Sequence, residues 1–284
     1  MSDGSEGRVP LNASSGFKIN SAFWLRSLSA SEQGPTRRVL EDLGPFFDRL
    51  GLPFQLRDVK TPTELYTALD SLANPKVKPI LQLDMHGRKE GLLLSGSSEI
   101  AAWEEVVPRL RAINIASEGN LCVVAGVCYA LYAIKEASIS QPSPVNILIA
   151  PDREVQTGKL EDGLTGFYKS LLSDGEISAA FTEHLGDPFK LFNAERFFVI
   201  ALCKYIRSFC KGKGGAVRRE RLLTEILFAG RPRSPQNLRE IRRQVRDKIK
   251  PDQELVDRYA HTFLLGRPCP FSIDELMKAV EAAR

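Results

Sequence analysis

Strand-like and helix-like patterns alternate along the first half of the chain. Apolar runs at 21–28, 53–58, 78–84, 120–127 and 145–150 predict five strands. Amphipathic patterns predict helices over 36–50, 61–70, 100–112 and the segment after Cys128. Short connections between alternating strands and helices are typical of a mostly parallel sheet that helices cover on both faces. We therefore predict an α/β fold.

The pattern changes after residue 185. Amphipathic helical segments follow one another, separated by the glycine- and proline-rich breaks K-G-K-G-G and G-R-P-R-S-P. The patterns predict three parts: a flexible N-terminal arm at 1–15, an α/β domain at 16–185, and a mainly helical extension at 186–284.

Composition narrows the classes of function. Neither a secretory signal pattern nor an apolar stretch long enough to cross a bilayer occurs, so we expect a cytoplasmic protein without a membrane partner. The five cysteines lack metal-type spacing, and no phosphate-binding glycine loop occurs. We therefore expect reduced thiols and no cofactor or metal.

Positive charge is concentrated in the helical extension. Residues 211–250 hold thirteen basic and four acidic residues, whereas the net charge of the whole chain is +4. Three interpretations stay open: a site for nucleic-acid phosphates, a docking surface for an acidic partner, and a solvated helix face. Phe228 is the sole aromatic residue in this segment, so base stacking has little support and nucleic acid is not the favoured partner.

Candidate chemistry lies where two predicted strands end. His86 follows the strand at 78–84, and Cys128 follows the strand at 120–127. Ligand sites of open α/β sheets lie beyond the carboxyl ends of the strands, and the spacing of these residues fits neighbouring parallel strands. A thiol nucleophile needs a nearby base that takes its proton, and a histidine such as His86 can be that base. The backbone amides of Gly87 and Cys128 are candidates for binding the oxyanion that forms during the reaction. The competing interpretation is a buried free cysteine with an incidental histidine.

Other residues compete with or extend this pair. Cys122 lies inside an apolar run, where a thiol is inert, and His184 and His261 have no thiol partner. Asp84 alternates with His86 on the same strand, so it is a candidate for the same site and equally a simple strand-end residue. Two further acids, Asp152 and Glu154, follow the fifth strand at the rim of the same crevice.

Three stretches resemble a known family in the expected order. They are D-M-H-G-R-K-E-G-L-L-L at 84–94, V-V-A-G-V-C-Y-A at 123–130, and I-L-I-A-P-D-R-E followed by F-Y-K-S-L-L between 147 and 172. Together they resemble caspase-like cysteine peptidases of the CHAT (caspase-like, separase-related) group. The resemblance covers roughly residues 18–185.

The resemblance implies a caspase-like fold and a cysteine endopeptidase activity. It implies His86 as general base and Cys128 as the nucleophile that forms a thioester with a peptide carbonyl. It also implies that an acid after the fifth strand, Asp152 ahead of Glu154, receives an Arg or Lys of the substrate. Peptidases of this group commonly belong to bacterial systems, antiphage defence among them, in which a partner protein controls the protease. The alternative is a degenerate scaffold that binds a partner protein or nucleic acid through its basic helices.

Overall fold

The computed structural model describes residues 16–155, 157–230, 234–269 and 271–282; for residues 157–162 it describes the backbone alone. The predicted arm at 1–15 lies outside these residues. The chain divides into two compact units, of which one is Gly16–Ala194 and the other contains the helices after Glu195.

The first unit is an α/β layer structure. The strands in its described residues are β1 (Ser21–Ser27), β2 (Phe54–Asp58), β3 (Pro79–Arg88), β4 (Gly91–Leu93), β5 (Ile100–Ala102), β6 (Cys122–Ala125), β7 (Ile147–Pro151) and β8 (Phe189–Asn193). Its helices are α1 (Gly34–Leu50), α2 (Pro62–Leu72), α3 (Trp103–Ala116), α4 (Thr157–Asp174) and α5 (Ile177–His184), with a 3-10 turn at Ala130–Ile134. The main sheet has the order β2-β1-β3-β6-β7-β8, parallel except for β8. The predicted mostly parallel α/β sheet is thus confirmed.

One face of this sheet packs against α1 and α4. Trp24 of β1 lies in a core with Phe47 of α1 and Phe167 of α4, all almost fully buried. The neighbouring Tyr168 donates a hydrogen bond of 2.8 Å to Gln82 of β3, which satisfies a buried amide oxygen. This face therefore anchors the middle of β3 firmly beneath the helices.

Local signals explain several element boundaries. The side chain of Thr61 accepts a hydrogen bond from the Glu64 amide, and Pro62 lies in the first turn of α2. Helix α1 continues through Pro45, and Gly51 ends it in the left-handed conformation (φ 61°).

Four predicted boundaries differ from the structure. Strand β3 continues beyond residue 84 to Arg88, and residues 100–102 form a strand before α3 begins. The helix predicted after Cys128 is a single 3-10 turn, because Tyr129 has a positive φ of 59° that interrupts a right-handed helix. Strand β8 occupies the start of a predicted helix; its antiparallel pairing with β7 is a tertiary contact that local periodicity does not reveal.

The described residues of the second unit form helices. Its helices are α6 (Ala194–Phe209), α7 (Gly212–Phe228), α8 (Pro235–Lys248), α9 (Gln253–Phe263) and α10 (Ile273–Ala282). A small apolar cluster joins α7 and α8 through Leu223, Ile241, Val245 and Ile249. No helix in the described parts of either unit has the length and apolar character that crossing a membrane requires.

Candidate active site

Strand β3 carries His86 out of the main sheet. Its first part pairs with β1 and β6, and its last three residues turn into a hairpin with β4. The pairing Arg88–Gly91 closes a two-residue turn and is a hydrogen-bonded pair, so the next pair, Gly87–Leu92, is not. The Gly87 amide is therefore directed away from β4.

The register of β3 and β6 aligns His86 with Cys128. Paired residues of these strands differ by 42 in number, from Ile80 with Cys122 to Leu83 with Ala125. His86 and Cys128 differ by the same 42, and the Gly126 amide still donates a 2.8 Å hydrogen bond to Leu83 O past the last paired residue. The strand pairing ends there, and beyond it His86 and Cys128 line the same recess at the carboxyl ends of the two strands.

Gly87 confirms how closely these two segments approach. A Cβ atom on Gly87 would lie 2.2 Å from the carbonyl oxygen of Cys128 and 2.3 Å from Cγ1 of Val127. No side chain fits in that space, so only glycine allows β3 to approach the main chain of Cys128 in this way.

The pair opens on a small recess. Its cavity volume is about 100 Å³, and Asp84, His86, Gly126 and Cys128 are among its lining residues. The remaining walls come from β1, the segment after it, α1, the loop before α4, and α4: Trp24, Leu28, Glu32, Pro35, Thr36, Val39, Val155 and Leu164, with Met85 of β3. The structure therefore places His86, Cys128 and Asp84 around one recess.

Glu32 binds the imidazole of His86. Its Oε1 lies 2.8 Å from His86 Nε2, while Oε2 accepts hydrogen bonds from the hydroxyl and the amide of Ser29. These bonds, with that of the Ser29 hydroxyl contributing most, lower the pKa of Glu32 to about 2. The stability gained from the Glu32 carboxylate is thus complete above its ordinary pKa of about 4.5 and is lost as the pH falls towards 2.

This contact fixes the tautomer of His86. A carboxylate only accepts hydrogen bonds, so Nε2 of His86 must carry the proton and the neutral ring keeps a free electron pair on Nδ1. The side chain of His86 is 50% exposed and that of Glu32 is 41% exposed. The imidazole is therefore oriented by an acid while it stays accessible to a substrate.

The Cys128 thiol lies in the same neighbourhood. It is half-buried, and Sγ accepts a hydrogen bond of 3.4 Å from the Val155 amide in the loop after β7. Within the described residues, no hydrogen bond joins Cys128 to the His86 ring, and none is found for the Cys128 amide. The amides of Gly87 and Cys128 thus remain available to an oxyanion.

The other thiols differ from Cys128 in their surroundings. Burial raises the pKa of Cys122, Cys203, Cys210 and Cys269, the last of these to about 11. Cys122 is fully buried in the sheet, as predicted for an inert thiol. The other three belong to the helical unit.

Asp84 is a buried member of the site. Its Oδ2 accepts hydrogen bonds from the Thr36 hydroxyl and, at 3.5 Å, from the Trp24 indole. Burial raises its pKa, and these two hydrogen bonds oppose that rise. Asp84 therefore connects α1 and β1 to β3 through side-chain hydrogen bonds.

Asp152 and Glu154 follow β7 and are not among the residues that line the recess. The Asp152 Oδ1 atom is buried without a hydrogen-bond partner among the described residues. Glu154 is exposed, with its Oε1 3.5 Å from the Tyr129 hydroxyl. The two acids thus differ: Asp152 has an unused acceptor, whereas Glu154 contacts a surface tyrosine.

Sequence reasoning missed Glu32 and the Val155 amide. Glu32 lies in the polar segment that follows the carboxyl end of β1. Because β1 and β3 are parallel, this segment begins near the end of β3 that carries His86, and that position is the sequence signal for Glu32. Among the described residues no group of three or more His, Cys, Asp or Glu side chains is placed to hold a metal ion. No protein-family model matches the chain, and a search of curated proteins finds no match either.

Proposed function

We propose that the unit Gly16–Ala194 is a cysteine endopeptidase with Cys128 as nucleophile and His86 as general base. The observation that carries this proposal is that His86 and Cys128 line one recess, at the carboxyl ends of the adjacent parallel strands β3 and β6. The resemblance to CHAT-type peptidases in three ordered stretches supports the same assignment. A proteome-wide cleavage comparison of the wild type with Cys128→Ala tests it: cleavage by both proteins alike would reject the proposal.

The proposed reaction begins with proton transfer from the Cys128 thiol to Nδ1 of His86. The thiolate attacks the peptide carbonyl carbon, and the oxyanion accepts hydrogen bonds from the Gly87 and Cys128 amides. The imidazolium then gives its proton to the departing amine as the C–N bond breaks and the thioester remains. Water, deprotonated by His86, hydrolyses the thioester and releases the thiol. The hydrogen bond between His86 and Cys128 forms when the substrate is bound.

In this mechanism Glu32 is a positioning residue, because it acts on the substrate only through His86. We expect Glu32→Ala to lower kcat about tenfold with little change in KM, since an exposed charge-assisted hydrogen bond stabilises the oriented ring by about 1.5 kcal/mol. Glu32→Gln keeps an acceptor and should recover part of the rate. Because the pKa of Glu32 is about 2, the loss should be equal at every pH from about 5 to 9.

The matched control for Glu32 is Glu41→Gln. Glu41 is an exposed acid on α1 that pairs with Arg37 at 3.8 Å and does not line the recess. Steady-state cleavage of a peptide substrate by all four proteins is the measurement. A change in KM without a change in kcat would show that Glu32 does not orient His86. Equal losses of kcat for the Glu32 and Glu41 variants would show the same.

The resemblance suggests Asp152 as the acceptor of a cationic substrate side chain, and its buried Oδ1 has no hydrogen-bond partner among the described residues. The loop that carries it also supplies the Val155 amide to Cys128, so Asp152 lies on the segment that adjoins the nucleophile. We expect Asp152→Asn to lower kcat/KM about 10- to 100-fold for a peptide with Arg or Lys before the cleaved bond, as for loss of a charge-assisted pair. Glu154→Gln serves as control, and equal losses with basic and with neutral peptides would exclude this role.

The resemblance further suggests that a partner protein regulates the peptidase, as in bacterial antiphage systems of the CHAT type. The lack of a hydrogen bond between the His86 ring and Cys128 among the described residues supports a site that is completed on activation. Addition of the proteins encoded beside this chain to the cleavage assay tests this: activity independent of every one of them would reject it.

A further inference from the structure

Arginines converge on one cleft between α7 and α8. The cleft has a volume of about 430 Å³ and is lined by Arg219, Glu220, Arg239, Arg242, Arg243, Val245 and Arg246. Five cationic side chains thus face a single carboxylate. Clustered like charges repel one another unless an anion lies among them.

The apolar residues that pack α7 against α8 leave the arginines of α8 on its solvent-exposed face. Ile241 and Val245 are buried against Leu223 of α7, and this contact fixes the rotation of α8. The α8 arginines follow a spacing of i, i+3, i+4 and i+7, so they share one helix face: Arg239, Arg242, Arg243 and Arg246. All four are exposed. The row is therefore a direct consequence of how α8 packs.

Neighbouring acids neutralise only part of the charge. Arg242 lies 3.8 Å from Glu220, and Arg243 lies 2.7 Å from Glu240, but these side chains are all about half exposed or more and such pairs are weak. Neither Arg219 nor Arg239 forms an ion pair or hydrogen bond with any residue that the structure describes, and Arg219 is half-buried. The cleft thus offers guanidinium groups without acceptors.

We propose that this cleft binds the phosphate backbone of a nucleic-acid duplex without reading its sequence. Guanidinium groups bind phosphate oxygens in a bidentate way, and all five cations are arginines. Arg239 and Arg246 are about 10 Å apart along the helix axis, which corresponds to about three nucleotides of one strand. No aromatic side chain lines the cleft, so it provides no stacking platform for single strands.

Fluorescence anisotropy of the full chain with labelled duplexes of about 20 base pairs, one of DNA and one of RNA, tests the proposal over about 50–200 mM KCl. We expect binding of at least one duplex that weakens steeply with salt. The triple variant R239Q/R242Q/R246Q should bind at least tenfold more weakly at 100 mM KCl. The negative slope of log K against log salt should become shallower by about 2.7, which is about 0.9 for each lost phosphate contact. Comparison of the two duplexes assigns the site to DNA, RNA or both.

The control is Arg221→Gln. Arg221 lies on α7, pairs with Glu225 at 2.8 Å and is not among the residues that line the cleft, so its loss should leave affinity nearly unchanged. Glutamine preserves helix propensity, and far-UV circular dichroism checks the fold of each variant. The proposal is overturned by absent binding at 50 mM KCl, by wild-type affinity of the triple variant, or by stronger competition from polyglutamate than from unlabelled duplex at equal charge.

Discussion

Cys128→Ala is expected to lower kcat/KM for peptide cleavage by at least about 10⁴-fold, because covalent catalysis needs the sulfur atom. His86→Ala is expected to cause a loss of the same order. Since the two side chains act in one proton transfer, the double variant should be no slower than either single variant. Cleavage rates of the three variants on one peptide from the proteome-wide screen are the measurement.

The control is Cys122→Ala, which removes the other sheet thiol. Cys122 is fully buried, so its truncation acts on packing and should leave cleavage within a few-fold of the wild type once the fold is verified. Independent, multiplicative losses for His86→Ala and Cys128→Ala would show that the residues do not act as a dyad. A larger loss for Cys122→Ala would transfer the role of nucleophile to that thiol.

The second large effect is expected for Gly87→Ala. The new Cβ would lie 2.2 Å from the Cys128 carbonyl oxygen, a main-chain atom that cannot rotate away. We expect the free energy of unfolding to fall by about 3 kcal/mol, as for overpacking of a tight site. Cleavage should fall at least about 100-fold, because the strand that carries His86 is displaced from the nucleophile. Urea unfolding and peptide cleavage measure the two effects.

Gly44→Ala is the control for Gly87→Ala. Gly44 lies inside α1, and a Cβ there would meet nothing within 4 Å. Alanine is the better helix former, but the ring of the following Pro45 disfavours a helical residue with a Cβ before it, so this substitution should change the stability by less than about 1 kcal/mol and leave cleavage unchanged. Wild-type stability and activity of Gly87→Ala would contradict the close approach of β3 to Cys128.

Local sequence patterns predicted the framework of the site but not all of its contacts. The apolar run at 120–127 indicated a central strand, and the spacing of His86 and Cys128 indicated adjacent strands, which the register of β3 and β6 agrees with. The strands follow from local hydrophobic periodicity, and their adjacency follows from the rule that consecutive strands joined by one helix are commonly neighbours.

The remaining contacts depend on residues that are distant in sequence. The pairing of His86 with Glu32 joins positions 54 residues apart, and no periodic signal marks it. Strand β8 forms because β7 offers an edge for antiparallel pairing, although its residues also fit a helix. The extension of β3 past His86 likewise depends on the hairpin with β4. Tertiary pairing, not local preference, decides each case.

Activation of Cys128 by His86 can be measured as the rate at which the Cys128 thiol is alkylated. Wild type and His86→Ala are treated with limiting iodoacetamide at neutral pH, and mass spectrometry follows each of the five cysteines over time. We expect Cys128 to be alkylated first in the wild type and at least about tenfold more slowly in His86→Ala, while the other thiols are unaffected. Equal alkylation of Cys128 in both proteins, or no preference for Cys128 over the other thiols, would contradict it.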